Sequence, residues 1–189
     1  MSDHSALLAP AAAELLRVAA AAPSLTAPTP CTDYDVRGLL NHLLYWGPWL
    51  AAAGRREPGQ ASVDGEAGAS LVGEDWLTLL AKQTDELVSA FTPASAWTGT
   101  LRLGTAELPA SFVGDMVLGE FVLHGWDLAQ ASGSTLSCSD EAAAAVLASA
   151  VAMGEQARST GVYGAAVSVP ADAPLLDRAL GASGRDPNA

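Results

Sequence analysis

Basic residues are scarce in this chain: nine Lys and Arg stand against 21 Asp and Glu among 189 residues, a formal charge of −12. A phosphate backbone rewards clustered cations, so nucleic acid is excluded as a partner, and an anionic membrane surface with it. Cysteine is equally scarce. Cys31 and Cys138 make neither a CxxC unit nor a disulfide framework. No apolar run is long enough to span a bilayer, because Glu14, Arg17 and prolines interrupt the Ala- and Leu-rich start. The opening MSDHSALLAP has no basic region before its apolar residues and makes a poor signal peptide. These absences lead to the expectation of a cytoplasmic protein.

Aromatic residues make up only 6% of the chain, and β-branched residues are sparse, while half of all residues are hydrophobic. Alanine dominates the long segments, so the chain is expected to be globular, all-α and a single domain over residues 1–189. The first helix is expected from about Ser5 to Ala21, with Pro23 as its stop. A second follows the N-cap Asp35 and runs to Gly54, with Pro48 expected to kink it. Residues 54–69 are Gly- and Ser-rich without periodicity and read as a mobile connection. A third helix is expected from about Ser70 to Phe91, and residues 97–108 read as a short strand or a wandering loop. Pro109 suits the first position of a fourth helix reaching Ser132 and closed by Gly133. Ser139 caps a fifth, and the tail reads as an extended strap with a short helix near Pro174–Leu180.

Histidine is rare too, with three in all. His4 lies in the expected floppy start and needs no role. In the fourth helix, GEFVLHGWD places Glu120 and His124 four residues apart, one above the other on a single face. A buried carboxylate beside a buried imidazole must be paired or metallated, because an unpaired buried charge is costly. In a helical bundle the facing residue comes from another helix, and His42 is the remaining residue of ligand type. Two imidazole nitrogens and one carboxylate oxygen match a catalytic zinc site with one position open, and nickel or iron would accept the same set. Spacing alone leaves an ion pair or a hydrogen-bond network open as the reading of Glu120 and His124. Asp127 reads either as an outer carboxylate orienting a ligand or as a salt bridge to Arg37, the latter favoured. Trp46 and Trp49 read as core packing ahead of pocket walls, Cys31 as a packed structural thiol, and Cys138 as exposed and incidental.

TPCTDYDVRGLLNHL followed by EFVLHGWDLAQASG resembles the metal-binding domain of the mycothiol-dependent maleylpyruvate isomerases, within the DinB-like superfamily. The ending VYGAAVSVPADAPLLDRALGASGRDP resembles that of a short actinobacterial subgroup described as metal-binding proteins, so the likeness runs from about residue 5 to 187. The resemblance implies a DinB-like four-helix bundle with an extra C-terminal helix and an extended strap. It places His42, Glu120 and His124 on the family's three zinc ligands. Tyr34 and Gly38 stand where the family has Trp and Asp, neither of them a ligand position. The implied cofactors are Zn2+, or another divalent metal such as Ni2+, with mycothiol as co-substrate. The implied partners are a small-molecule thiol and a small electrophile, joined by S-transfer or isomerisation. The family's isomerases carry a further C-terminal domain where this chain is expected to have only the strap, which weakens the expectation of isomerisation. A non-catalytic metal-binding module is the alternative, and a homodimer is left open.

Overall fold

The computed structural model describes residues 3–22, 24–58 and 65–188. Pro23 and residues 59–64 of the expected connection lie outside them. The described chain is mostly helical: α1 (Ser5–Ala20), α2 (Val36–Gly54), α3 (Trp76–Phe91), α4 (Ala110–Ala131), α5 (Asp140–Ser159) and α6 (Leu175–Ala182).

Local chemistry accounts for most of these boundaries. The Asp35 carboxylate accepts the Gly38 N–H at 2.8 Å, satisfying one of the orphan donors at the start of α2. Ser139 does the same for Ala142 at the start of α5, with Asp140 and Glu141 in the first turn and Arg158 in the last, as the helix dipole prefers. α4 begins directly after Pro109 and ends ahead of Gly133, whose φ of 63° only glycine adopts without strain.

One expectation is corrected. The third helix starts at Trp76, six residues later than its periodicity suggests. Residues 70–75 are tied to α2 instead: the Leu71 N–H donates to Asn41 Oδ1 at 2.9 Å, and Arg37 donates to the Val72 carbonyl at 3.0 Å. The described chain is mostly helical, as expected, with one small sheet in the stretch read as a short strand or a loop. Strands β1 (Thr100–Leu103) and β2 (Ala106–Pro109) form an antiparallel hairpin in which Leu101 pairs with Leu108. Gly104, at φ 62°, makes the tight turn between them.

α1 and α2 each pack against both α3 and α4, so four helices enclose one core. Leu8, Leu15, Leu39, Leu44, Leu80, Phe91 and Leu118 are among its most buried side chains. α5 packs on α4, and α6 on α5. α4 is therefore covered on several sides, and apolar residues point out all around it. A polar trio on such a helix is costly unless every member is satisfied. That is the setting of the site.

Candidate metal centre

Glu120 and His124 project from one face of α4, and α2 packs against α4 so that His42 meets them. His42 Nε2 lies 3.3 Å from Glu120 Oε2, and His124 Nε2 lies 3.5 Å from the same oxygen. One ligand atom from each of the three residues lies within 4.8 Å of the other two. Nitrogen and oxygen ligands held tetrahedrally at 2.0–2.2 Å from a zinc ion sit about 3.3–3.6 Å apart, so these separations suit a common ion. Glu120 Oε2 is itself enclosed and has no hydrogen-bond partner. An orphaned carboxylate oxygen facing two imidazole nitrogens is what a cation between them would satisfy.

The opposite edges of both rings settle which atoms face inward. His42 Nδ1 lies 3.0 Å from Glu66 Oε1, and His124 Nδ1 lies 3.0 Å from Asp127 Oδ2. A carboxylate only accepts, so each Nδ1 carries a proton and donates, and each ring turns its Nε2 toward Glu120. Three ligand atoms then converge, and either a proton or a metal ion must lie among them. The outer carboxylates are held in turn. Glu66 accepts from Tyr34 Oη–H at 2.8 Å and from Trp46 Nε1–H at 2.8 Å. Asp127, fully buried, accepts from Arg185 Nε at 2.9 Å and Nη2 at 2.7 Å. Setting the imidazoles aside, three carboxylates against one guanidinium leave two negative charges, which a divalent ion would cancel.

The proton equilibria follow from this crowding. Burial disfavours the imidazolium of His42, but Glu120 and Glu66 outweigh it and push its pKa up to about 8. Burial alone would also raise the carboxyls of Glu120, Asp127 and Glu66. The imidazoles, with Arg185 at Asp127 and the Trp46 and Tyr34 donors at Glu66, hold all three below the usual range. In metal-free protein the His42 ion pairs therefore contribute stability that is complete below about pH 6.5 and is lost as pH rises through about 8. Metal affinity runs the other way, rising over the same window as the competing proton leaves. Thermal melts in chelator should show the stability advantage of wild type over His42→Gln shrinking across that window, while titrations with zinc show tighter binding.

Several expectations about individual residues change. Asp127 does not bridge to Arg37, which is taken up by the Val72 carbonyl; it orients His124 and is clamped by Arg185. Trp46 and Trp49 are only half-buried, and Trp46 holds Glu66 rather than filling the core. His4 is not idle: its Nδ1 is 2.8 Å from Asp115 Oδ1. Cys31 is half-buried and faces a cavity rather than being packed away, with burial pushing its thiol pKa up. Cys138 is likewise half-buried, not exposed.

Glu66, Tyr34 and Arg185 are the functional positions that sequence reasoning missed. Glu66 opens a short 3-10 turn, Glu66–Gly68, in the stretch read as a mobile connection. Its loss should be felt at the site and nowhere else. Glu66→Ala is expected to weaken metal affinity by about 10–100-fold in competition with a chromophoric chelator, with the circular dichroism spectrum unchanged.

Beside the triad lies a cavity of about 580 Å³, lined by His42, Glu120 and His124 and by residues from α2, α4, α5 and the strap. Its walls mix apolar groups, among them Leu50, Leu103 and Met153, with the carboxylates of Asp33 and Asp115. The strap closes one side through Tyr163, and the turn after α6 brings in Ser183 and Arg185. Gly184, at φ 89°, lets that turn press against the backbone of Gly164, an approach that a Cβ would block.

A helical bundle with two imidazoles and a carboxylate converging beside an accessible cavity offers a candidate site for a divalent metal ion. A family model described as the mycothiol maleylpyruvate isomerase N-terminal domain matches residues 8–129, more than half of the chain, and the protein belongs to that family. The match is shorter than the likeness read from residue 5 to 187, and Arg185 and the strap lie beyond it. No curated protein and no solved structure matches the chain. Among the described residues no helix is long and apolar enough to cross a membrane.

Proposed function

We propose that His42, Glu120 and His124 hold one divalent cation, zinc by their donor set, in a DinB-like bundle. On this reading the protein brings a small thiol, mycothiol by its family, to that ion and passes the sulfur to a small electrophile. The observation that carries the reading is the cavity of about 580 Å³ that reaches the three ligand residues. An ion serving only to fasten helices needs no such access, so the cavity favours catalysis over a purely structural module.

A divalent ion bound there would lower the pKa of a thiol, making the nucleophilic thiolate available at neutral pH. The chain's own residues do the rest. Glu66 and Asp127 fix both imidazoles with Nε2 inward, and Tyr34, Trp46 and Arg185 keep those carboxylates in place. The apolar wall excludes water from the reacting sulfur and accommodates the electrophile. In S-transfer the sulfur bonds to the electrophilic carbon, the leaving group departs with its electron pair, and the thiol proton goes to solvent. In isomerisation the sulfur adds to an activated double bond, the bond rotates, and elimination restores the thiolate. Neither route needs a protein nucleophile, which agrees with a raised thiol pKa at Cys31.

Thiol consumption with a model electrophile tests the proposal. Zinc-loaded protein should consume thiol and electrophile with turnover, and chelator-treated protein should not. Stoichiometric zinc without turnover over a panel of thiols would favour the non-catalytic module instead.

A further inference from the structure

The middle of α4 contains three glycines, and two of them have packing reasons to be there. A Cβ at Gly114 would collide with the Trp97 ring, and one at Gly125 would come within 2.9 Å of Leu136 Cδ1. Gly119 is different. It has ordinary helical geometry, lines the cavity, and a Cβ built on it meets nothing within 4 Å. Glycine inside a helix is destabilising relative to alanine, so its presence facing open space is a cost that the fold does not explain.

One turn earlier on the same face stands Asp115, also lining the cavity. His4 Nδ1 engages only its Oδ1, and Oδ2 has no hydrogen-bond partner among the described residues. Along the helix, Asp115 lies about 7–8 Å from Glu120. The cavity thus runs from the triad over bare helix backbone to a carboxylate with a free oxygen.

We propose that Asp115 and Gly119 form a second subsite, which holds the distal part of a thiol whose sulfur sits at the triad. The body of that thiol lies against the α4 backbone at Gly119, and a hydrogen-bond donor at its far end, an ammonium or hydroxyl group, reaches Asp115. This rests on the metal reading above. It makes Asp115 the residue that selects for a donor remote from sulfur, and Gly119 the residue that sets permitted length and bulk.

Cobalt-substituted protein tests this by direct binding, since thiolate coordination to cobalt gives a charge-transfer absorption. The probes are ethanethiol, hexanethiol and aminohexanethiol. Wild type should bind aminohexanethiol about tenfold more tightly than hexanethiol, and Asp115→Asn should erase that difference. Gly119→Leu should weaken both long thiols by about tenfold or more while leaving ethanethiol affinity and cobalt stoichiometry unchanged. Gly119→Ala guards against misfolding: it should raise Tm by roughly 2–4 °C, as alanine does in an open helix position, yet weaken the long thiols. Equal binding of all three thiols by wild type, or long-thiol affinities that neither variant moves, would overturn the subsite while leaving the metal reading intact. Failure of wild type to take up cobalt at all would overturn the metal reading, and this subsite with it.

Discussion

His42→Ala is expected to purify with under about a tenth of an ion per chain where wild type carries about one. The argument is ligand count. With His42 gone, Glu120 and His124 remain as two ligands from one helix, and nothing on α2 replaces the lost nitrogen. Elemental analysis after gel filtration reads the result. Removing the ion from wild type by chelation should also lower Tm by about 10 °C, since a ligand that binds only the folded state stabilises it by mass action. His42→Ala should show no such response to chelator. Wild-type metal content in the variant would show that the three residues do not hold the ion.

The second large effect is expected at Arg185, some sixty positions along the chain from the residue it serves. Asp127 has no exposed surface, and its carboxylate takes two hydrogen bonds from Arg185 and one from His124. Arg185→Met keeps much of the side-chain volume but strands a buried charge. Breaking such a pair from one side costs about 3–5 kcal/mol, a large share of a domain's net stability, and should lower Tm by roughly 10 °C. Metal affinity should fall as well, by about 10–100-fold, because the group orienting His124 is no longer fixed. Arg185→Lys should recover only part of either loss, since an ammonium cannot make the paired contact of a guanidinium. Unchanged melting and unchanged affinity in Arg185→Met would show that the C-terminal turn is incidental to the site.

What could be read from the chain beforehand divides along physical lines. The Asp35 and Ser139 caps, the Pro109 start of α4 and the Glu120–His124 stacking depend on residues within one or two turns, and the local pattern exposes them. His42 was identifiable because few residues of ligand type exist to face that pair. The late start of α3 was hidden, because residues 70–75 are held instead by the Leu71 N–H donating to Asn41 and by Arg37 donating to the Val72 carbonyl. Glu66 was hidden because a Gly- and Ser-rich stretch has no period to say which of its acids will point inward. Arg185 was hidden for a different reason. Its contact depends on the path of the strap and on the Gly164–Gly184 approach, neither of which leaves a mark in local spacing.

These absences of signal share a consequence. The candidate ligands and Asp127 carry a helical signature, while Glu66 and Arg185 come from a short turn and the C-terminal tail and are found only once the chain is folded. Sequence pattern alone therefore suggested an ion pair between Asp127 and Arg37, where the fold makes a carboxylate–histidine arrangement on each side of the triad.

X-ray absorption on zinc-loaded protein, with and without added thiol, tests the central claim most directly. The account predicts two imidazole nitrogens and one carboxylate oxygen from the protein, with a further light-atom ligand replaced by sulfur when thiol is added. A zinc shell filled by four protein ligands and indifferent to thiol would contradict it, as would zinc bound without histidine.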